Sequence, residues 1–188
     1  MSTPATITIV LVDDLPVLDM CIQDTSLGQP LAVDLEGVDL CRNGSICLVQ
    51  LMREGSDTIW VVDVVVLGAE AFDHVDTDGR CLKAVLEDAK IVKVSVDLHL
   101  VSKNRNIIAD FYRRQLFYDF FPKNIWDLQL EEVCSRASAG DALRLCNGLA
   151  KALKKPVRLL PLGWEAAKEN GKKLFAPEQG GPYSVFET

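Results

Sequence analysis

Short apolar runs that alternate with helical segments constrain the fold of this chain more than any other feature. The first two runs are rich in Val and Ile, and every run has the length of a single strand. They predict strands over residues 7–12, 31–36, 45–52, 58–66, 91–96 and 124–128. Five polar or small residues, 53–57, separate the third run from the fourth and favour an antiparallel hairpin between them.

Apolar residues at helical spacing predict the elements between and after these strands. The predicted helices cover residues 19–27, 78–88, 130–137, 142–153 and 164–170. Strands interleaved with helices indicate an α/β layered domain. A chain of 188 residues has the length of one domain. We therefore expect a single domain over residues 1–188, with a core over 5–155 and an irregular, incomplete tail over 156–188, where Pro and Gly become frequent.

Composition and charge narrow the class of protein. With 48% hydrophobic and 25% charged residues, the chain has the composition of a soluble globular protein. A net charge of −7 argues against a basic protein that binds duplex DNA through clustered Lys and Arg. The charge is uneven, since residues 1–88 hold 4 Lys and Arg against 16 Asp and Glu, whereas residues 89–188 hold 16 against 11.

Cysteine spacing and the length of the apolar stretches indicate the cellular compartment in which the protein is expected. The six cysteines form neither a C-x-x-C pair nor a zinc-type pattern, so we expect reduced thiols. The N-terminus lacks the basic region of a signal peptide. The longest apolar stretch, 59–71, is interrupted by Asp63 and is shorter than the roughly 20 residues of a membrane span. An intracellular protein, cytoplasmic or nuclear and without membrane association, follows.

Two acidic residues on one predicted strand are the first sign of chemistry. In Leu31-Ala-Val-Asp-Leu-Glu-Gly37, alternation directs Asp34 and Glu36 to one face and Val33 and Leu35 to the other. Two neighbouring anions at the end of a buried strand favour a divalent cation such as Mg²⁺ or Mn²⁺ between them. The pair predicts metal-assisted phosphoryl chemistry, and the alternative is that both carboxylates are simply solvated.

The residues around this pair resemble a known family. Residues 31–51 are similar to the first motif of the DEDD 3′–5′ exonuclease superfamily, in the DnaQ-like branch of ribonuclease D and the Egalitarian-like exonuclease domains. Residues 60–64, 82–93 and 124–130 match further segments of that family in order, so the resemblance extends over residues 5–188. It implies a ribonuclease-H-like three-layer α/β fold with a mixed five-stranded sheet.

The resemblance also implies an activity. Members of this superfamily hydrolyse phosphodiester bonds at the 3′ end of a nucleic acid, and four acidic side chains hold two metal ions, Mg²⁺ or Mn²⁺. Asp34 and Glu36 match the first motif residue by residue. The resemblance therefore implies that both are catalytic metal ligands.

The second motif departs from the family pattern. Residues 93–97 resemble its start, but Val101 stands where the family has a catalytic Asp, and the stretch 98–108 looks inserted. Counting backward from Asp127 instead places Asp110 near the expected position. Asp110 is therefore the candidate third catalytic and metal-binding residue. Asp97 is the alternative to it, and for both a surface carboxylate remains the other interpretation.

The third motif is absent. The family has a Tyr or His that orients the attacking water, on a helix beyond a Gly-Gly-rich segment. Residues 180–188 resemble the approach to that helix, and there the sequence stops. We therefore expect the C-terminal helix of the fold to be missing. A truncated product with an insertion near residue 98 is our hypothesis for both irregularities.

Basic residues supply a candidate nucleic-acid surface. Arg113 and Arg114 lie among aromatic residues, a pattern that fits single-stranded nucleic acid. Lys154 and Lys155 belong to a basic cluster for which a solvated helix face is an equal interpretation. Two functions stay open: a metal-dependent 3′–5′ exonuclease acting on RNA or single-stranded DNA, or a catalytically inactive exonuclease-like domain that binds nucleic acid or a protein partner.

Overall fold

A mixed β-sheet organises the part of the chain that the structure describes. The structure is a computed structural model, and it describes residues 7–38, 45–95 and 122–140. The strands are β1 (Thr8–Val12), β2 (Leu31–Val38), β3 (Ser45–Arg53), β4 (Thr58–Asp63), β5 (Lys93–Ser95) and β6 (Ile125–Asp127). Their order is β1-β4-β3-β2-β5-β6, so the two long central strands, β3 and β2, are neighbours.

The strand directions make the sheet mixed. β3 is antiparallel to both of its neighbours, β2 and β4, and residues 53–57 form the predicted hairpin between β3 and β4. β1 pairs in parallel with β4, β5 in parallel with β2, and β6 in parallel with β5. The resemblance implies five strands, whereas the described residues form six, because β1 extends the sheet beyond β4. The predicted α/β class is confirmed.

Helices connect the strands. They are α1 (Leu15–Thr25), α2 (Val64–Leu67), α3 (Glu70–Asp73), α4 (Leu82–Glu87) and α5 (Leu128–Ser138). α1 begins earlier than predicted, because the Asp14 carboxylate accepts the N–H of Val17 at 2.9 Å and Pro16 occupies the first turn. A side-chain cap and an early proline both favour a helix start.

The predicted strand over residues 58–66 ends too late. β4 stops at Asp63, whose carboxylate accepts the N–H of Val66 at 3.0 Å and thereby caps α2. The run of valines after Asp63 continues the apolar pattern of the strand, so hydrophobicity alone does not reveal the change.

One face of the sheet holds the core. Buried side chains of the central strands form a single apolar cluster with buried residues of α1, α3 and α4. Leu31 and Val33 on β2 belong to this cluster, as do Leu18 on α1 and Leu82 on α4. The alternate positions of β2 therefore lie on the face away from these helices.

The chain divides into two compact units, Met1–Asp127 and Leu128–Thr188. The sheet lies in the first unit. In the second, the described residues form α5, where the Arg136 guanidinium donates to the Glu132 carboxylate at 2.6 Å. The single domain over residues 1–188 stays a prediction, and the helices predicted over 142–153 and 164–170 lie outside the described residues.

Among the described residues, no helix has both the length and the apolar character needed to span a membrane. The four cysteines of these residues are free thiols, and Cys21 and Cys47 are buried.

Candidate metal-binding face

The two acidic residues of the first motif lie on one exposed face of β2. Asp34 is opposite Gln50 on the antiparallel strand β3, and Glu36 is opposite Leu48. Both acidic residues are exposed to solvent, whereas Val33, just before Asp34, is buried among the core residues. The structure thus brings the two carboxylates to the same side of the sheet, as the alternation of the strand indicates.

The two carboxylates influence each other. Glu36 is still partly buried by the sheet, which raises the pKa of its carboxyl, and the neighbouring negative charge of Asp34 raises it further. A proton or a cation bound at this pair therefore relieves electrostatic repulsion. Oxygen ligands that carry negative charge are the ligands preferred by hard divalent ions such as Mg²⁺ and Mn²⁺, so Asp34 and Glu36 fit two positions of such a site.

A β-bulge follows the carboxylate pair. Glu36 pairs with Leu48 but Gly37 pairs with Ile46, so Cys47 is an extra residue on β3. Ile46 and Cys47 are both buried, although they are consecutive. Bulges increase the local twist of a sheet and are frequent beside functional sites.

An exposed tryptophan shares the face of the carboxylates. Ala32 on β2 is in register with Val94 on β5, and Val94 is in register with Trp126 on β6. Registered residues of parallel strands point to the same face, which is also the face of Asp34. The Trp126 side chain is 52% exposed. Sequence reasoning did not select Trp126, although its place directly before Asp127 in a predicted strand was the signal available.

Asp127 lies on the opposite face of the sheet. It is in register with Ser95, and both residues are buried. The Asp127 side chain therefore points away from the face that carries Asp34 and Glu36.

The remaining candidate residues fall elsewhere in the chain. Six residues with predicted roles lie outside the described part of the chain: Asp97, Asp110, Arg113, Arg114, Lys154 and Lys155. Within the described ranges, no three His, Cys, Asp or Glu side chains come together in a way that could hold a metal ion. Among the described residues, the candidate site therefore consists of the Asp34 and Glu36 carboxylates.

Comparison with known proteins gives two curated relatives by sequence, the piRNA biogenesis proteins EXD1 of Mus musculus and Homo sapiens. No family model matches the chain. It is 26% identical over 146 residues to the piRNA biogenesis protein EXD1 of Mus musculus, and the match covers 77% of this chain and 23% of that protein. The chain thus spans less than a quarter of the length of this curated relative.

Solved structures supply the fold. The chain superposes on ribonuclease D of Trypanosoma brucei in its complex with GMP with a TM-score of 0.64 and 19% identity, over 88% of this chain and 46% of that one. It superposes on the EXO domain of Aedes aegypti Nibbler with a TM-score of 0.51 and 14% identity, over 95% and 94% of the two chains. These superpositions confirm the expected ribonuclease-H-like α/β fold.

Proposed function

We propose that this chain is a metal-dependent 3′–5′ exonuclease domain that hydrolyses phosphodiester bonds at the 3′ end of RNA or single-stranded DNA. One observation carries the proposal: the Asp34 and Glu36 carboxylates share an exposed face of β2, a central strand of a sheet with the exonuclease fold. Asp110, from the disturbed second motif, is the proposed third ligand.

The chain's own residues have defined tasks in this proposal. Asp34 and Glu36 would hold Mg²⁺ or Mn²⁺, which activates water and stabilises the leaving oxygen when bound. Their two negative charges keep an anionic phosphodiester away from the bare site and make productive binding depend on the cation. The raised pKa of Glu36 means that a proton competes with the cation for this carboxylate.

Three observations support a nucleic-acid substrate. Trp126 offers an exposed indole on the carboxylate face, and an aromatic ring of this kind can stack on a base of a single strand. The structural relative from Trypanosoma brucei was solved with GMP, a nucleotide. The mouse relative is by name a piRNA biogenesis protein, which favours RNA over DNA. Arg113, Arg114, Lys154 and Lys155 are the proposed contacts to the phosphate backbone.

A second candidate function is an inactive exonuclease-like domain that binds nucleic acid or a protein partner. The observation in its favour is that Val101 stands where the family has the catalytic Asp of the second motif. In that case the carboxylate face retains its shape and its weak affinity for cations, but no hydrolysis follows.

One experiment separates the two candidates. The purified 188-residue chain is incubated with 5′-labelled single-stranded RNA and DNA in the presence and absence of Mn²⁺, beside Asp34→Asn and Glu36→Gln. Matched controls are Asp57→Asn and Glu54→Gln, which change exposed acidic residues of the β3–β4 turn. Shortening that requires Mn²⁺ and is lost only in the first two variants supports the exonuclease. Equal shortening by all five proteins contradicts it and indicates a contaminating nuclease.

A further inference from the structure

Gln50 is the polar side chain that β3 presents to the carboxylate face between the bulge and the β3–β4 turn. The two other residues of this stretch on the same face, Leu48 and Met52, are apolar, and all three are half-buried. An apolar residue at position 50 would continue the packing of its neighbours without burying an amide. The carboxamide of Gln50 is therefore a candidate for a role other than packing.

Gln50 adjoins the proposed metal ligands. It is directly opposite Asp34 in the β2–β3 pair, and Glu36 lies in the next pair on the same face. Side chains directly opposite each other in an antiparallel pair have Cβ atoms about 4.5–5.5 Å apart. On its other side Gln50 is opposite Val61 of β4, which is apolar and half-buried. The polar neighbours of the carboxamide in this part of the sheet are thus the two carboxylates.

Gln50 and Trp126 lie on opposite sides of the carboxylate pair. β2 lies between β3 and β5, and β6 with Trp126 lies beyond β5. At about 4.8 Å per strand, β6 is roughly 10 Å from β2, whereas β3 is one spacing away on the other side. A base stacked on the Trp126 indole therefore lies on the side of β2 away from Gln50. The part of the nucleotide within reach of Gln50 is the sugar and its phosphate.

The chemistry of the carboxamide favours the sugar over the phosphate. A phosphate is bound most strongly by charged donors such as Arg and Lys, and Gln50 carries no charge. The carboxamide offers two N–H donors and a carbonyl acceptor, so it can donate to a hydroxyl or accept from it. The 2′-hydroxyl also donates and accepts, and it is the group by which a protein distinguishes RNA from DNA.

We propose that the Gln50 carboxamide hydrogen-bonds the 2′-hydroxyl of the nucleotide at the carboxylate pair, so that the site prefers ribose to deoxyribose. The inference rests on the proposed function, because it places a 3′-terminal nucleotide over Asp34 and Glu36. A hydrogen bond contributes a net 0.5–1.5 kcal/mol or about two- to twelvefold in affinity. Gln50 is half-buried, so a deoxyribose that covers it leaves its donors with neither water nor a partner.

Binding of mononucleotides tests the inference without hydrolysis, because GMP and 2′-deoxy-GMP contain no phosphodiester bond. In calorimetric titrations of the 188-residue chain with Mn²⁺ present, GMP is expected to bind roughly two- to twelvefold more tightly than 2′-deoxy-GMP. Gln50→Met keeps the length of the side chain and removes its hydrogen-bonding groups. This variant is expected to bind both nucleotides as weakly as the wild type binds 2′-deoxy-GMP. Gln23→Met, at an exposed position of α1, is the matched control and should discriminate like the wild type.

Two oligonucleotides extend the test to the reaction. One is a 5′-labelled RNA, and the other is the same RNA with a single deoxyribose at its 3′-terminal nucleotide. The wild type is expected to have the higher kcat/KM for the all-ribose RNA, and Gln50→Met is expected to lose this advantage. A wild type that hydrolyses neither substrate contradicts the proposed function, whereas the mononucleotide titrations still decide the role of Gln50.

Three results overturn the inference. The first is a wild type that binds GMP and 2′-deoxy-GMP equally, or that binds neither. The second is full discrimination by Gln50→Met or by Gln50→Leu, a second apolar replacement, in a chain that unfolds at the same temperature as the wild type. The third is an equal loss of affinity for both nucleotides in these variants, which indicates a contact to the phosphate or the base.

Discussion

Asp34 and Glu36 lie two positions apart on β2, and the charge of Asp34 adds to burial in raising the pKa of Glu36. The two carboxylates therefore repel each other while both are ionised. Either a bound cation or a bound proton removes this repulsion. Unfolding with Mn²⁺ tests for the cation, and unfolding at different pH values tests for the proton.

Mn²⁺ should stabilise the chain through this pair. At a metal concentration 100 times the dissociation constant, a ligand that binds only the folded state contributes about 2.7 kcal/mol. We expect thermal unfolding of the wild type to shift to higher temperature with Mn²⁺, and the shift to disappear in Asp34→Asn. A shift of the same size in Asp34→Asn, with Asp57→Asn as the reference, would mean that the metal binds elsewhere.

The pH dependence of stability should reveal the raised pKa of Glu36. Below pH 4.5, the ordinary value for this carboxyl, both the folded and the unfolded chain are protonated there. As the pH rises through the raised native pKa, the folded state must release a proton that it holds more tightly than the unfolded state, so stability falls.

Metal-free Glu36→Gln should therefore be more stable than the wild type at neutral pH and nearly equal to it below pH 4.5. The difference should stay below about 1 kcal/mol, because solvent screens an exposed pair. Thermal unfolding of both proteins across this range measures it. A neutral-pH wild type that is more stable than Glu36→Gln would show that the sign is wrong.

Lys93 should produce the opposite trend at alkaline pH. Its side chain is buried and its ammonium donates to the carbonyl of Asp88, and burial lowers its pKa from 10.5 to about 8 despite the charge of Asp88. Between these two values the unfolded chain binds more protons than the folded chain, so stability rises with pH.

Relative to Lys93→Met, the wild type should gain up to about 3 kcal/mol of stability as the pH rises from 8 to 10.5, since one pKa unit corresponds to about 1.4 kcal/mol. Urea unfolding at several pH values measures the gain. Lys90→Met, at an exposed position, should show no such trend. Parallel curves for the wild type and Lys93→Met would contradict the prediction.

Asp24 should contribute strongly to stability. One carboxylate oxygen accepts the Nε–H of Arg53 at 2.8 Å, and the other accepts the indole N–H of the buried Trp60 at 2.9 Å. Asp24→Ala leaves both donors without this acceptor, at a cost of about 1–3 kcal/mol. Chemical unfolding with Asp57→Ala as the control measures the loss. Equal stability of these two variants would mean that water replaces the carboxylate at no cost.

Trp126 should matter for nucleic-acid binding and not for folding. If a base stacks on its exposed indole, Trp126→Ala should weaken binding of single-stranded RNA by roughly fivefold to a hundredfold, since stacking contributes about 1–3 kcal/mol per base. Trp126→Phe keeps an aromatic ring and should retain most of the affinity. Fluorescence anisotropy of labelled RNA gives the constants, with Val65→Ala, an exposed apolar residue on α2, as the control. Unchanged binding in Trp126→Ala would remove this residue from the interface.

The sequence predicted those parts of the fold that are marked by compact apolar runs. β2 and β3 were found in this way, and alternation along β2 also put Asp34 and Glu36 on one face. The end of β4 was misplaced because Val64 to Val66 are apolar in either structure, and the helix depends on one hydrogen bond from Val66 to Asp63.

Of the candidate site, the sequence predicted Asp34 and Glu36 but not Trp126. Asp34 and Glu36 are close in sequence, so local geometry brings them together. Trp126 joins their face through pairing of β2 with β5 and of β5 with β6, which is a long-range relationship that no local pattern encodes. The raised pKa of Glu36 likewise depends on burial by the folded sheet.

The bulge at Cys47 determines how this hairpin tolerates changes in length. The extra residue lies on β3, so β2 alternates without interruption from Leu31 to Glu36, in register with β3 from Arg53 to Leu48. An insertion or deletion in the β2–β3 connection changes pairing on the far side of the bulge first. The hairpin tip can therefore vary in length between homologues, or be lengthened by engineering, while the two carboxylates keep their direction.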